Sequence, residues 1–149
     1  MKILSQRDPK WSADKLGSSS LTLGRFGCTT TSVSMLTDYF GEWMTPKQMA
    51  HDVNWYTKDG LILWKNLHFK NMKFDRREYG RNDYDIQAAL KDPDRAVILE
   101  GNNHSQWVTA LRKTLIGKSY VVADPWLGTK VDVLKVYKNI TGAAYFSRV

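Results

Sequence analysis

The spacing of apolar residues changes along the chain from a helical period to short β-rich runs. Val33, Leu36 and Phe40 share one helical face and predict a helix over residues 28–40, with Gly41 as its stop signal. After Pro93 the apolar residues stand in short stretches that turn residues separate. Helices followed by an antiparallel sheet are typical of an α+β fold.

The same patterns predict the remaining elements. Thr45 and Gln48 form a capping box with Pro46 at the first helical position, which indicates a helix over residues 46–53. Asn82 or Asp83 caps another that runs to residue 90. A short strand at 3–4, an irregular loop to residue 27 and a short helix over 61–68 complete the first part. The predicted later strands are 96–99, 106–111, 119–123, 130–136 and 143–146.

Length and composition indicate one domain, residues 1–149, without repeats or linkers. No run of 18 apolar residues is present to span a membrane, and the first residues lack the apolar core of a signal peptide. We expect a cytoplasmic protein, or one that is released or assembled by another route such as lysis or a virus particle. No phosphate-binding loop or metal-ligand spacing occurs, so neither a cofactor nor a metal is predicted.

The chain carries a formal net charge of +7, from 22 lysines and arginines against 15 acidic residues. Basic residues are densest over 65–81, where Phe69, Phe74 and Tyr79 stand between them. This stretch matches no nucleic-acid recognition motif. A nucleic-acid surface, attraction to an anionic polymer such as a cell wall, and a simply solvated face all remain open.

Cys28 is the single cysteine and opens the predicted helix of residues 28–40. A lone cysteine is either a small buried hydrophobe or a nucleophile. In the first helical turn the dipole and the free N–H groups favour a thiolate, which predicts a depressed pKa and a partly exposed thiol. Gly27 leaves room for a close approach to the sulfur.

A cysteine nucleophile needs a base and a group that orients it. His51 and His68 lie in stretches typical of surface or packing residues. His104, by contrast, follows a turn-rich string and enters an apolar strand. Asp124 closes the next β-rich run, where its carboxylate could hold the imidazole.

Several motifs in order resemble the bacteriocin-processing-peptidase-like branch of the papain-like cysteine peptidases, over most of the chain. They are Gln6-Arg-Asp-Pro-Lys-Trp11, Gly27-Cys28-Thr-Thr-Thr-Ser-Val-Ser-Met35, Thr45-Pro46, a histidine near Trp107-Val108, and Asp124-Pro125. The resemblance implies a papain-like fold. It implies Cys28 as nucleophile, His104 as base, Asp124 as its orienting carboxylate and Gln6 as oxyanion donor.

The chain departs from the family pattern at two positions. Ser34 replaces the usual alanine, a minor change. The family histidine commonly stands directly before Trp-Val, where this chain has Gln106, and His104 lies two residues earlier. A small bulge could bring His104 to the sulfur; otherwise Gln106 takes the base position, and an amide cannot accept the proton. The expected cleft is lined by Trp11, Gly27, Gln106, Trp107 and Trp126.

Four functions are consistent with the sequence. The preferred one is a cysteine peptidase or amidase that forms an acyl-enzyme thioester, for example on a glycine-containing peptide. The second is the same chemistry on the peptide cross-links of a cell wall. The third is a catalytically impaired module with a binding or structural role in a larger assembly, such as a phage or secretion machine. The fourth, nucleic-acid binding, depends on charge alone.

Overall fold

A computed structural model describes all 149 residues and confirms an α+β fold. The helices are α1 (Leu23–Phe26), α2 (Cys28–Tyr39), α3 (Pro46–Ala50), α4 (Asp83–Lys91) and α5 (Val133–Val136), with 3-10 turns at Val53–Trp55 and Trp64–Asn66. The strands are β1 (Met72–Tyr79), β2 (Arg95–Gly101), β3 (Gln106–Lys113), β4 (Tyr120–Asp124), β5 (Thr129–Asp132) and β6 (Ile140–Arg148). No helix is both long and apolar enough to cross a membrane.

The six strands form one antiparallel sheet in the order β1-β6-β2-β3-β4-β5. Strand β2 lies inside it and is buried on both faces. Ile98 faces the larger apolar cluster, which includes α2, whereas Val97 and Leu99 face the smaller one, which includes α4. Because successive side chains of a strand point to opposite faces, one apolar run serves both layers.

Helix α2 is fastened to β3 by two reciprocal hydrogen bonds. The Ser32 hydroxyl donates to the Trp107 carbonyl at 3.2 Å, and the Thr109 hydroxyl donates to the Ser32 carbonyl, also at 3.2 Å. All these polar groups are buried, so leaving one unpaired would cost about 1–3 kcal/mol. The bonds fix the start of α2 against the start of β3.

The helices predicted at 28–40, 46–53 and 82–90 are present, the second shortened to α3. Thr45 makes the predicted capping box, and Asn82 accepts from the Asp85 N–H. Ser34, the first departure from the family pattern, donates its hydroxyl to the Met44 carbonyl at 2.5 Å. This bond ties α2 to the chain that leads into α3, a contact that alanine could not make.

Three predicted features were wrong, and one strand was missed. Residues 3–4 form no strand, and residues 61–68 contain only the Trp64–Asn66 turn. The stretch 130–136 divides into β5 and α5, because the Asp132 side chain caps the Leu134 N–H and starts a helix there. Strand β1 was not predicted at all: it lies at an edge of the sheet and many of its side chains are exposed, so it lacks an apolar run.

Candidate active site

Cys28 is the first residue of α2, as predicted, but its thiol is not exposed. The residue retains only 9% of its accessible surface. Burial raises the pKa of the thiol above its ordinary value, and hydrogen bonds involving the Trp107 backbone and Thr29 offset only part of the effect. The expectation of a partly exposed cysteine with a depressed pKa was therefore wrong: loss of hydration outweighs the helix N-terminus.

Gly27 is required by packing inside the protein. A Cβ atom at this position would collide with the carbonyl and side chain of Leu23, one turn earlier in α1. Its φ of −92° is open to any residue, so the constraint is steric. The room that the sequence suggested for an approaching group is taken by Leu23.

Gln6 is buried between the segment that follows β4 and helix α1. Its backbone N–H donates to the Pro125 carbonyl at 2.9 Å, and its side-chain Nε2 donates to the Gly24 carbonyl at 3.2 Å. Its Oε1 is buried without a partner. Gln6 thus joins the segment after Asp124 to the helix that leads into Cys28.

Asp124 is fully buried and is held by Tyr137. The Tyr137 hydroxyl donates to Asp124 Oδ2 at 2.6 Å, and the Trp126 N–H donates to Oδ1 at 2.9 Å. Gln106 Nε2 donates to the Tyr137 oxygen at 3.2 Å. A chain of hydrogen bonds therefore runs from Gln106 through Tyr137 to Asp124.

The Tyr137 phenol has a raised pKa. Burial raises the pKa of Tyr137 strongly, the bond to Asp124 raises it further, and a negative charge at Cys28 would raise it again. A phenol with so high a pKa stays protonated at neutral pH, so it cannot accept the thiol proton.

His104 does not contact Asp124. Its side chain is 61% exposed, and its Nδ1 lies 2.9 Å from Glu100 Oε1. Glu100 is buried and also accepts from Arg77 Nη2 at 2.6 Å and from the Thr141 hydroxyl at 3.1 Å. The expected pairing of His104 with Asp124 is thus contradicted, because each is bonded to another side chain.

The turn that carries His104 is itself tightly bonded. Asn102, Asn103 and His104 all have positive φ, at 52°, 55° and 68°. The Asn103 N–H donates to Asn139 Oδ1 at 2.9 Å, and Asn139 Nδ2 donates back to Asn103 Oδ1 at 2.8 Å. Asparagine tolerates this left-handed backbone well, which favours the observed turn over an extended strand that would begin at His104.

A cleft of about 310 Å³ opens beside this chain of hydrogen bonds. Its lining comprises Arg25, Asn102, Ser105, Gln106, Trp126 and Tyr137. Gln106 and Trp126 thus lie where the sequence placed a cleft. Trp11 instead is buried, with its indole N–H bonded to the Ser5 carbonyl, and Trp107 lies in the core.

The three arginines of the basic stretch over residues 65–81 are paired with carboxylates, whereas its three lysines, Lys65, Lys70 and Lys73, are exposed and form no ion pair. Arg76 bonds Asp85 and Glu78, Arg77 bonds Glu100, and Arg81 bonds Asp83. Phe69 is buried, whereas Tyr79 is exposed beneath the Arg77 guanidinium. Arginines already paired with carboxylates are poor phosphate ligands, so three lysines are the free cations that this stretch offers to a polyanion.

Sequence reasoning missed Tyr137 and Arg25. Tyr137 follows α5, directly after the stretch 130–136 that was predicted as one strand, and no motif marks it. Arg25 precedes the Gly27-Cys28 motif by only two residues. A positive charge so close to a candidate nucleophile could have marked Arg25 as a candidate site residue.

Comparison with known proteins does not assign the chain to a family. No family model matches the chain, and neither a curated protein nor a solved structure matches it significantly.

Proposed function

We propose that the chain is a peptide-binding module with a papain-like fold, and that it holds peptides beside Cys28 without cleaving them. The cleft lined by Gln106, Tyr137 and Trp126 receives the peptide. The motif resemblance and the position of Cys28 at the start of a helix packed on a sheet support a peptidase-like ancestry.

One observation carries the proposal: the chain of hydrogen bonds from Gln106 through Tyr137 to Asp124. In a cysteine peptidase an imidazole must take the thiol proton and be oriented by a carboxylate. Here a protonated phenol contacts that carboxylate, and an amide contacts the phenol. Neither accepts a proton at neutral pH, and the buried thiol holds its own proton more tightly than a free cysteine.

A second candidate, hydrolysis of an amide bond by Cys28, is favoured by one contact. Glu100 binds His104 Nδ1, which leaves Nε2 free to act as a base. For that role the turn of residues 102–105 would have to bring Nε2 to the sulfur. The bonds to Asn139 would then break.

Incubation with a random octapeptide library separates the two candidates. We expect the immobilised wild-type protein to retain a fraction of the peptides and to release them uncut, as judged by mass spectrometry. Purified peptidoglycan in a zymogram should also stay intact.

Cleavage that disappears in both Cys28→Ala and His104→Ala would establish the hydrolase instead. A library that passes through unretained and uncut would refute both candidates. Thermal melting of each variant serves as the folding control.

A further inference from the structure

We infer that the cleft selects peptides through a carboxylate, which the guanidinium of Arg25 in the cleft lining binds and to which Arg7, packed on Trp126, adds a second positive charge nearby. The inference rests on the proposed peptide-binding function and adds the chemistry of the ligand. It begins from the charges around the cleft: its lining contains one arginine and no acidic residue.

Arg25 is an exposed cation without a carboxylate partner. It lies in the last turn of α1, and its guanidinium contacts the ring of Phe26, with 5.6 Å between the guanidinium carbon and the ring centroid. No protein group accepts a hydrogen bond from its side chain. By contrast, Arg77, Arg81 and Arg148 each bond a carboxylate at 2.9 Å or less.

Arg7 supplies a second cation next to Trp126. Its Nε donates to the Trp126 carbonyl at 3.0 Å, and its guanidinium carbon lies 4.5 Å from the centroid of the Trp126 ring. These contacts fix the guanidinium plane while its two terminal nitrogens bind no protein carboxylate. A fixed guanidinium can form two parallel hydrogen bonds with a carboxylate and loses little further entropy.

The remaining cleft groups suit a peptide backbone. The Nε2 of Gln106 donates a hydrogen bond to Tyr137, whereas its Oε1 accepts no hydrogen bond from the protein. That oxygen can accept a peptide N–H. Trp126 in the cleft lining, 37% exposed, and Phe26 beside Arg25, 48% exposed, offer apolar surface for neighbouring side chains.

The dimensions favour a short peptide over a nucleic acid. A volume of about 310 Å³ is at the lower end for ligand pockets, enough for a few residues. A nucleic acid would need a longer track of cations, because its affinity comes from many phosphates. The two free arginines here match one or two carboxylates.

Selection from the octapeptide library tests the inference with matched variants. Arg25→Gln removes the cation at the cleft. Arg112→Gln removes an equal charge from an exposed arginine of β3 that has no carboxylate partner and does not line the cleft. We expect wild type and Arg112→Gln to enrich aspartate or glutamate at a fixed position, and Arg25→Gln to lose that enrichment.

Fluorescence polarisation with a selected, labelled peptide then gives the affinity. Loss of a charged hydrogen bond should raise Kd about tenfold for Arg25→Gln and for the matching Glu→Gln peptide. The two changes together should cost little more than either alone.

Four results would overturn the inference. Peptides retained without any acidic preference would refute carboxylate selection and leave the proposed function standing. An equal loss of affinity in Arg25→Gln and Arg112→Gln would show unspecific attraction by net charge. Displacement of the peptide by a 20-nucleotide single strand at lower concentration than by acidic peptide would assign the surface to a polyanion. Retention of no peptide at all would refute the proposed function as well.

Discussion

The Tyr137 hydroxyl donates a 2.6 Å hydrogen bond to the buried carboxylate of Asp124. The resemblance to cysteine peptidases implies an imidazole as the partner of that carboxylate, and the phenol stands in its place. Because Gln106 donates to the same phenol oxygen, the three side chains form one unit. Its hydrogen bonds run in one direction, from the Gln106 amide to the Tyr137 oxygen and from the Tyr137 hydroxyl to Asp124. Because the Asp124 carboxylate is the only acceptor at the end of the unit, the role of the unit is structural.

Tyr137→Phe should lower the free energy of unfolding at pH 7. It should also make that free energy fall less steeply as the pH rises into the alkaline range. Removal of the hydroxyl leaves Asp124 Oδ2 buried without a donor, at a cost of about 1–3 kcal/mol at pH 7. The pKa of Tyr137 is raised in the folded protein, mainly by burial. Above the ordinary tyrosine pKa the unfolded chain therefore releases a proton that the folded chain keeps, and stability falls as pH rises.

Urea melts between about pH 8 and about pH 11 measure both effects. Tyr84→Phe is the control, because Tyr84 is 84% exposed and makes no hydrogen bond through its hydroxyl to the protein. An identical pH dependence in wild type and Tyr137→Phe would contradict the prediction.

Cys28 should react slowly with iodoacetamide in the native protein. Only the thiolate is alkylated, and burial both raises the pKa of the thiol and blocks access. We expect the native rate at neutral pH to lie at least about tenfold below that of the unfolded chain in guanidinium. Mass spectrometry of timed samples gives both rates. Native alkylation faster than in the unfolded chain would indicate an activated nucleophile.

Glu100 should matter far more for stability than His104. Glu100→Gln leaves Arg77, whose side chain is 17% exposed, without its ion-pair partner, which should cost about 3 kcal/mol. His104→Ala removes a largely exposed contact and should cost less than about 0.5 kcal/mol. Denaturant melts of the two variants provide the comparison. A larger loss in His104→Ala would mean that the histidine itself holds the turn.

The sequence predicted the elements that have regular apolar spacing or a capping motif. The helix that starts at Cys28, the capping box at Thr45 and the Asn82 cap are local features, and the structure contains them. Strand β1 escaped prediction because pairing with β6 forms it, although its own residues are mostly polar. Long-range pairing of this kind leaves little trace in a local pattern.

The candidate site was predictable in its positions and not in its contacts. Cys28, Gln6 and Asp124 were found through motifs, whereas the partner of Asp124 comes from a residue 13 positions later. The direction of the Cys28 pKa also depended on tertiary packing: the helix N-terminus was visible in the sequence, but the burial that outweighs it was not.

Gln106→His with Tyr137→Phe should convert the site into a weak amidase. The first change places an imidazole directly before Trp107, and the second frees the Asp124 carboxylate from the phenol. Positioned general-base catalysis contributes about 10²–10⁴-fold, so cleavage of a fluorescence-quenched peptide library should rise clearly above the wild-type background. Addition of Cys28→Ala to the double variant should abolish the gain.

The single variants show whether the phenol blocks the carboxylate. Gln106→His alone should gain less than the double variant, because Tyr137 still binds Asp124, and Tyr137→Phe alone should gain nothing, since it supplies no base. Gln106→Asn controls for disturbance of the strand start. A folded double variant without activity would contradict the prediction. Equal gain in Gln106→His and the double variant would show instead that Asp124 is free to orient the imidazole while Tyr137 is present.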